Sequence, residues 1–163
     1  MLRRFRTIKP EIRVLAISDG YNRFSHKLAS NIIGAVFRGG DTLDGVIRIH
    51  KPKGALTTAL VRAIRGSNHY AQIRVLIVEK SEFLGRKVDL ERLSKLTGRP
   101  LILVRRDSGR GWSVDGFGIH PDDARRIVEV CTRDRAPPEP VVVARMIAKD
   151  LNRFVQAHPN LNL

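Results

Sequence analysis

Apolar positions along this chain fall into two patterns, short continuous runs and longer segments at helical spacing. Residues 12–17 form a nearly continuous apolar run closed by Asp19-Gly20, which predicts a buried strand. Residues 21–30 are polar and read as a loop. Residues 31–38 predict a second strand and the alternating 43–50 a third, with Gly39-Gly40-Asp41 turning between them as a hairpin. Lys51-Pro52-Lys53-Gly54 breaks the pattern. Thr57 then opens a helix in which Leu60, Val61 and Ile64 share one side, and Gly66 ends it. Residues 73–78 predict another buried strand. Residues 89–96 carry Leu90, Leu93 and Leu96 at helical spacing, with Gly98 as the stop. Residues 101–104 predict a fifth strand, and 107–118 a glycine-containing loop holding Trp112. Pro121 sits in the first turn of a helix over 121–132. A proline-rich hinge at 135–140 precedes a last helix, 141–155, carrying Met146, Ile147, Leu151 and Phe154.

The order is three strands, then helix, strand, helix, strand, helix, helix. An antiparallel meander followed by alternating helices and strands predicts an α/β domain, a mixed five-stranded sheet with helices packed on it. The order is compatible with an RNase H-like fold. The expected organisation is a basic N-terminal arm over 1–11, one domain over 12–155, and a loose polar tail over 156–163.

Charge changes the picture most. Lys plus Arg number 30 against 16 Asp plus Glu in 163 residues, a net charge of +14. Such a charge repels itself in the compact state, so an anionic partner relieves it. Arginine outnumbers lysine, and a planar guanidinium suits phosphate. Nucleic acid is the first candidate partner. No basic amphipathic helix with an aromatic apolar face and no span-length apolar stretch points to a membrane. The single cysteine, Cys131, lies among Ile127, Val128 and Val130. It predicts a buried thiol, with neither a disulfide nor a thiolate zinc site. Residues 1–6 are basic and lack an apolar signal core, so a cytoplasmic location is expected.

Four stretches carry a family resemblance. They are Ile8-Lys9-Pro10-Glu11-Ile12-Arg13-Val14-Leu15-Ala16-Ile17 with Ser18-Asp19-Gly20; Gly34-Ala35-Val36-Phe37-Arg38-Gly39-Gly40 with Leu43-Asp44-Gly45-Val46; Ser67-Asn68-His69 with Gln72-Ile73-Arg74-Val75-Leu76; and the weaker Phe83-Leu84-Gly85. In combination they resemble the archaeal endonuclease dU family, related in fold to endonuclease V. The resemblance covers residues 8–106 and thins afterwards. It implies an RNase H-like fold, a nucleic-acid substrate and a divalent-metal nuclease site built from acidic residues at strand ends. Two hard ions there would stabilise both the attacking and leaving oxygens of a phosphodiester.

The chain departs from the pattern where that metal would sit. The family's first strand ends in two aspartates before glycine, whereas here Ser18 precedes Asp19. The family's Asp-Gly-Leu-Asp-Ala-Thr segment corresponds to Pro52-Lys53-Gly54-Ala55-Leu56-Thr57, which lacks both aspartates and keeps Thr57. The next expected aspartate falls on Glu79, with Lys80 in place of glycine. Asp19 and Glu79 remain as candidate catalytic and metal-ligating residues, taking Mg or Mn if the site is active. Asp44 or Glu82 would complete the set in that case. Lys51, Lys53 and Lys80 compete with a divalent ion for the same oxygens and favour phosphate directly.

The candidate phosphate-binding set is therefore Arg3, Arg4 and Arg6 of the arm with Lys51, Lys53, Lys80, Arg105 and Arg106. Gly109-Arg110-Gly111-Trp112 adds a cation and an aromatic on which a base can stack, as an alternative to Trp112 packing over the sheet edge. Ser67 and His69 are assigned to the edge of the site. Arg105 and Arg106 end a strand, and the carboxyl ends of parallel strands form the usual crevice of an open α/β sheet. The expected function is binding of DNA or RNA through a degenerate nuclease site, with no cofactor required. The alternatives are an active metal-dependent endonuclease on deaminated or altered DNA, and an RNA-binding component of a ribonucleoprotein particle such as the ribosome.

Overall fold

The computed structural model of the protein describes residues 2–20, 29–109 and 111–161. Most of the predicted loop at 21–30 and Arg110 lie outside them. The elements in chain order are β1 (Arg13–Ser18), β2 (Asn31–Arg38), β3 (Thr42–His50), α1 (Leu56–Arg65), β4 (Val75–Val78), β5 (Glu82–Phe83), β6 (Arg86–Lys87), α2 (Leu90–Thr97), β7 (Leu101–Arg106), β8 (Trp112–Phe117), α3 (Pro121–Cys131) and α4 (Glu139–Ala157).

One six-stranded sheet runs β3-β2-β1-β4-β7-β8. β1 pairs antiparallel with β2 and parallel with β4, β4 pairs parallel with β7, and β2–β3 and β7–β8 are antiparallel. β1, β3, β4 and β7 therefore point one way. The mixed sheet, the opening meander and the helical cover are as the pattern predicts; the strand count is six, not five. The extra strand is β8, where the sequence pattern predicts a loop. Its flanking glycines resemble turn residues, but Trp112 and Val114 alternate with Ser113 and Asp115 and pair along β7. A half-exposed edge strand gives only this weak period-2 signal.

Two apolar layers sandwich the sheet. Leu15, Ile17, Ile32, Val36, Leu76 and Val78 face α1 and α2 through Leu60, Ile64 and Leu93. Val14, Ala16, Ala35, Phe37, Ile77 and Val104 face α3 and α4 through Ile127, Val141 and Ala144. Such alternation is what strands covered on both faces require. Asp89 caps α2 by accepting from the Arg92 amide, and Gly98 ends it at φ 66°, a conformation that favours glycine. Cys131 is fully buried, and desolvation pushes its thiol up to about 12.

The inner face of α4 differs from the sequence reading. Val141, Ala144, Ala148 and Asn152 are buried, while Met146 and Phe154 stay 58% and 46% exposed. Small residues win this face because the backbones come close: a side-chain carbon placed on Gly20 would sit 2.2 Å from the Lys149 nitrogen. Asn152 is the polar member of the stripe. Its amide donates to the carbonyls of Asp19 and Asn31, and its oxygen accepts from the amides of Ser30 and Asn31. It ties the end of β1 to the start of β2, so those buried groups stay paired.

Candidate nucleic-acid interface

Asp19 and Glu79 follow the last residues of β1 and β4, which are adjacent and parallel with Ile17 beside Val78. The same register sets Asp19 beside Lys80. Asp19 is 3% exposed, and its Oδ1 accepts from Lys80 Nζ at 2.6 Å. Its Oδ2 accepts from the Leu84 amide at 2.8 Å. That amide belongs to the β5–β6 hairpin, whose turn residues Leu84 and Gly85 have φ 53° and 74°. Glu79 is held by both Nε and a terminal nitrogen of Arg145 on α4, the first at 3.1 Å. This two-pronged grip, stronger than burial, raises the guanidinium further above its ordinary value.

A catalytic divalent ion needs several free hard oxygens converging on one point. Here each of the two strand-end carboxylates is occupied by a cation of the chain itself. Asp44 is bound by Arg13 and Arg38 near the other end of the sheet, and Glu82 is exposed on the hairpin. No three His, Cys, Asp or Glu side chains among the described residues are grouped to hold a metal. The donor set does not fit the metal that the resemblance implies.

What lies beside Glu79 suits an anion. A cleft of about 740 Å³ opens at the carboxyl ends of β4 and β7, bordered by Glu79, Arg105, Arg106, Trp112, Pro137 and Arg145. Arg105 and Arg106 are exposed, and Arg105 pairs with Asp115 at 2.8 Å. Trp112 opposes Arg106 across β7–β8; it is half-buried, packing against the α3–α4 layer while also lining the cleft. The packing reading of this residue is observed, and its cleft-facing side leaves room for the stacking one.

Lys51 and Lys53 stand at the same end of the sheet, after β3. Arg86 pins their loop by donating to the carbonyls of Pro52 at 2.8 Å and Gly54 at 2.9 Å. Lys51 takes a left-handed φ of 42° with its amide on the Ser30 carbonyl. Both lysines are exposed on a pinned backbone. His50, next to them, is held below its ordinary value by burial and then by the charges of Arg48 and Lys51.

The fold does not bring the whole predicted set together. Arg3 bridges Ile119 at the opposite end of the sheet, so Arg3, Arg4 and Arg6 lie away from the cleft. Ser67 and His69 also lie at that end, in the connection from α1 to β4. The Ser67 hydroxyl accepts from the His69 amide at 3.0 Å, and a carbon placed on Gly45 would meet the His69 ring at 2.3 Å. Their assignment to the site edge is corrected: the Ser67-Asn68-His69 stretch is a turn whose histidine packs on bare backbone of β3. Arg145 was missed. It flanks the buried stripe of α4, and nothing in its spacing shows which strand end it reaches.

No family model matches the chain. It is 32% identical to a UPF0215 protein of Methanothermobacter thermautotrophicus over 184 aligned positions, covering 88% of this chain and 89% of that one. It is 43% identical to a UPF0215 protein of Methanosarcina barkeri over 102 positions, 61% of this chain and 51% of that one. Among solved structures, a protein of unknown function from Archaeoglobus fulgidus superposes with TM-score 0.72 at 20% identity, over 85% of this chain and 97% of that one. Endonuclease V of Bacillus subtilis superposes with TM-score 0.64 at 12% identity, over 93% and 86%. Endonuclease V of Ciona intestinalis, in complex with a 24mer DNA containing an inosine followed by a ribo-adenosine, gives 0.57 at 11%, over 88% and 87%. With a relative matched at 32% across nearly the full length of both chains, and with endonuclease V superposing over most of its length, this protein belongs to the UPF0215 family and has an RNase H-like fold.

Proposed function

We propose that this protein binds nucleic acid through the carboxyl end of its sheet without cutting it by divalent-metal catalysis. The observation that carries the reading is the pairing of Asp19 with Lys80 and of Glu79 with Arg145. Two carboxylates that would gather metal are neutralised from within, and Lys51, Lys53 and Arg106 remain to meet phosphates, with Arg105 beside them in an exposed pair with Asp115. The net charge of +14 supports the same partner. The DNA held by an endonuclease V of the same fold makes inosine-containing DNA a substrate worth including.

The test is incubation with labelled single- and double-stranded DNA and RNA, with and without inosine, in magnesium, manganese or chelator. Binding is expected to be unchanged by chelator and to fall steeply with salt, since each phosphate contact releases counterions. Full-length substrate is expected after incubation in every condition. Metal-dependent cleavage that disappears in Asp19→Ala or Glu79→Ala would overturn the reading in favour of an active endonuclease. Affinity insensitive to salt would overturn the binding mode.

A further inference from the structure

The fold divides the predicted phosphate-binding cations between two ends of the sheet. Lys51 and Lys53 follow the carboxyl end of β3, Arg105 and Arg106 close β7, and the N-terminal arm lies at the amino end. The arm is docked. The Arg3 amide donates to the Gly118 carbonyl and the His120 amide to the Arg3 carbonyl, each at 3.0 Å, and the Phe5 amide donates to Asp123 at 2.8 Å. Ile8 and Ile12 are buried beneath it.

Between the arm and the turn before β4 runs a groove of about 460 Å³, bordered by Phe5, Lys9, Glu11, Arg13 and Arg74. Lys9 and Arg74 on the groove, and Arg6 on the arm between the groove residues Phe5 and Thr7, are exposed and make no ion pair among the described residues. Of the acids nearby, Asp44 is taken by Arg13 and Arg38, and Asp123 by Arg4 and the Phe5 amide. Glu11 is the remaining carboxylate on the groove, so the cations are in excess there. The backbone that presents them is already ordered, which lowers the entropy cost of seating a polyanion.

β1 has six residues, so the two ends of the sheet stand about 20 Å apart at roughly 3.3 Å per residue. A duplex is stiff over many times that length, with a persistence length of about 50 nm. A duplex seated across one end, at right angles to the strands, is too stiff to bend round to the cations of the other. We propose that the amino-end groove is a second nucleic-acid face, and that one molecule holds two duplex segments at once, one at each end of the sheet. The inference rests on the nucleic-acid reading above.

The experiment uses the full chain, a duplex fixed to beads, and a second, labelled duplex at low salt. Wild type is expected to sediment as a monomer and to retain the labelled duplex on the beads. Two variants remove one face each, Arg6→Ala/Lys9→Ala/Arg74→Ala and Lys53→Ala/Arg105→Ala/Arg106→Ala. All six side chains are exposed, so both variants are expected to fold. The amino-end variant is expected to shift a single duplex in a gel as wild type does, the carboxyl-end variant to shift it with weakened affinity through the groove alone, and bead capture by each is expected to drop at least fivefold. Wild type that binds duplex in solution yet captures none on beads would overturn the bridging inference and leave the binding reading standing. Capture that survives either variant would also overturn it, because bridging would then come from copies of one face. Wild type that binds no nucleic acid in any assay would overturn both.

Discussion

Replacing Lys80 by alanine removes the cation from a carboxylate that is 3% exposed. Breaking a buried ion pair from one side costs about 3–5 kcal/mol, because the remaining charge is stranded. Two features reduce the cost here. Lys80 keeps 26% of its side chain in solvent, and Asp19 retains the Leu84 amide. A loss of about 2–3 kcal/mol is therefore expected. For a domain of 163 residues that lowers Tm by roughly 5–10 °C. The assay is denaturant and thermal unfolding of wild type, Lys80→Ala, Lys80→Met, Asp19→Asn and the double variant Asp19→Asn/Lys80→Met, compared with its own two single variants. Asp19→Asn keeps an acceptor for the Leu84 amide while discarding the charge, so the double variant is expected to recover at least half of the loss. A Lys80→Ala protein within about 0.5 kcal/mol of wild type would refute the claim that Lys80 neutralises a buried charge. So would a double variant as unstable as the sum of the two single ones. Because the chain itself supplies the cation, chelator is expected to leave the wild-type midpoint unmoved.

Asn152→Ala strands the amides of Ser30 and Asn31 and the carbonyl of Asp19, and is expected to cost about 2–4 kcal/mol in chemical denaturation. Asn152→Asp is expected to be no milder, since it removes the donor to both carbonyls. Cys131 has an ordinary value of 9.0 and is pushed up to about 12 in the fold. The folded state thus keeps a proton that the unfolded chain gives up, so this contribution is intact below pH 9 and is lost as pH rises toward 12. Unfolding at pH 8 to 10.5 is expected to show a downward slope that Cys131→Ala reduces by one proton's worth, and thiol reagents are expected to react no faster than the fold opens. Trp112 is the single tryptophan and borders the cleft. Its fluorescence is expected to be quenched by single-stranded oligonucleotides, with Arg106→Ala shifting the quenching midpoint to higher concentration.

Much of the architecture was legible because it is written in local periods. The runs at β1, β2 and β4 are apolar on both faces, and the leucines of α2 repeat at helical spacing between Asp89 and Gly98. Asp19 and Glu79 were legible as strand-end carboxylates, since an apolar run followed by an acid fixes where the acid stands. The excess of positive charge is a property of composition alone. The tertiary structure decided what those residues meet. The register of β1 on β4 sets Lys80 beside Asp19 across 61 positions, and the crossing of α4 over the sheet delivers Arg145 to Glu79 across 66. Pairings between residues so far apart leave no mark in either local sequence. The same holds for the arm: its arginines and Lys53 look alike in the sequence, and only the direction of the strands puts them at opposite ends of the sheet. Periodicity determines which face of an element is buried, whereas register and crossing geometry, set by packing of the whole chain, determine which charges neutralise one another and which are left to bind phosphate.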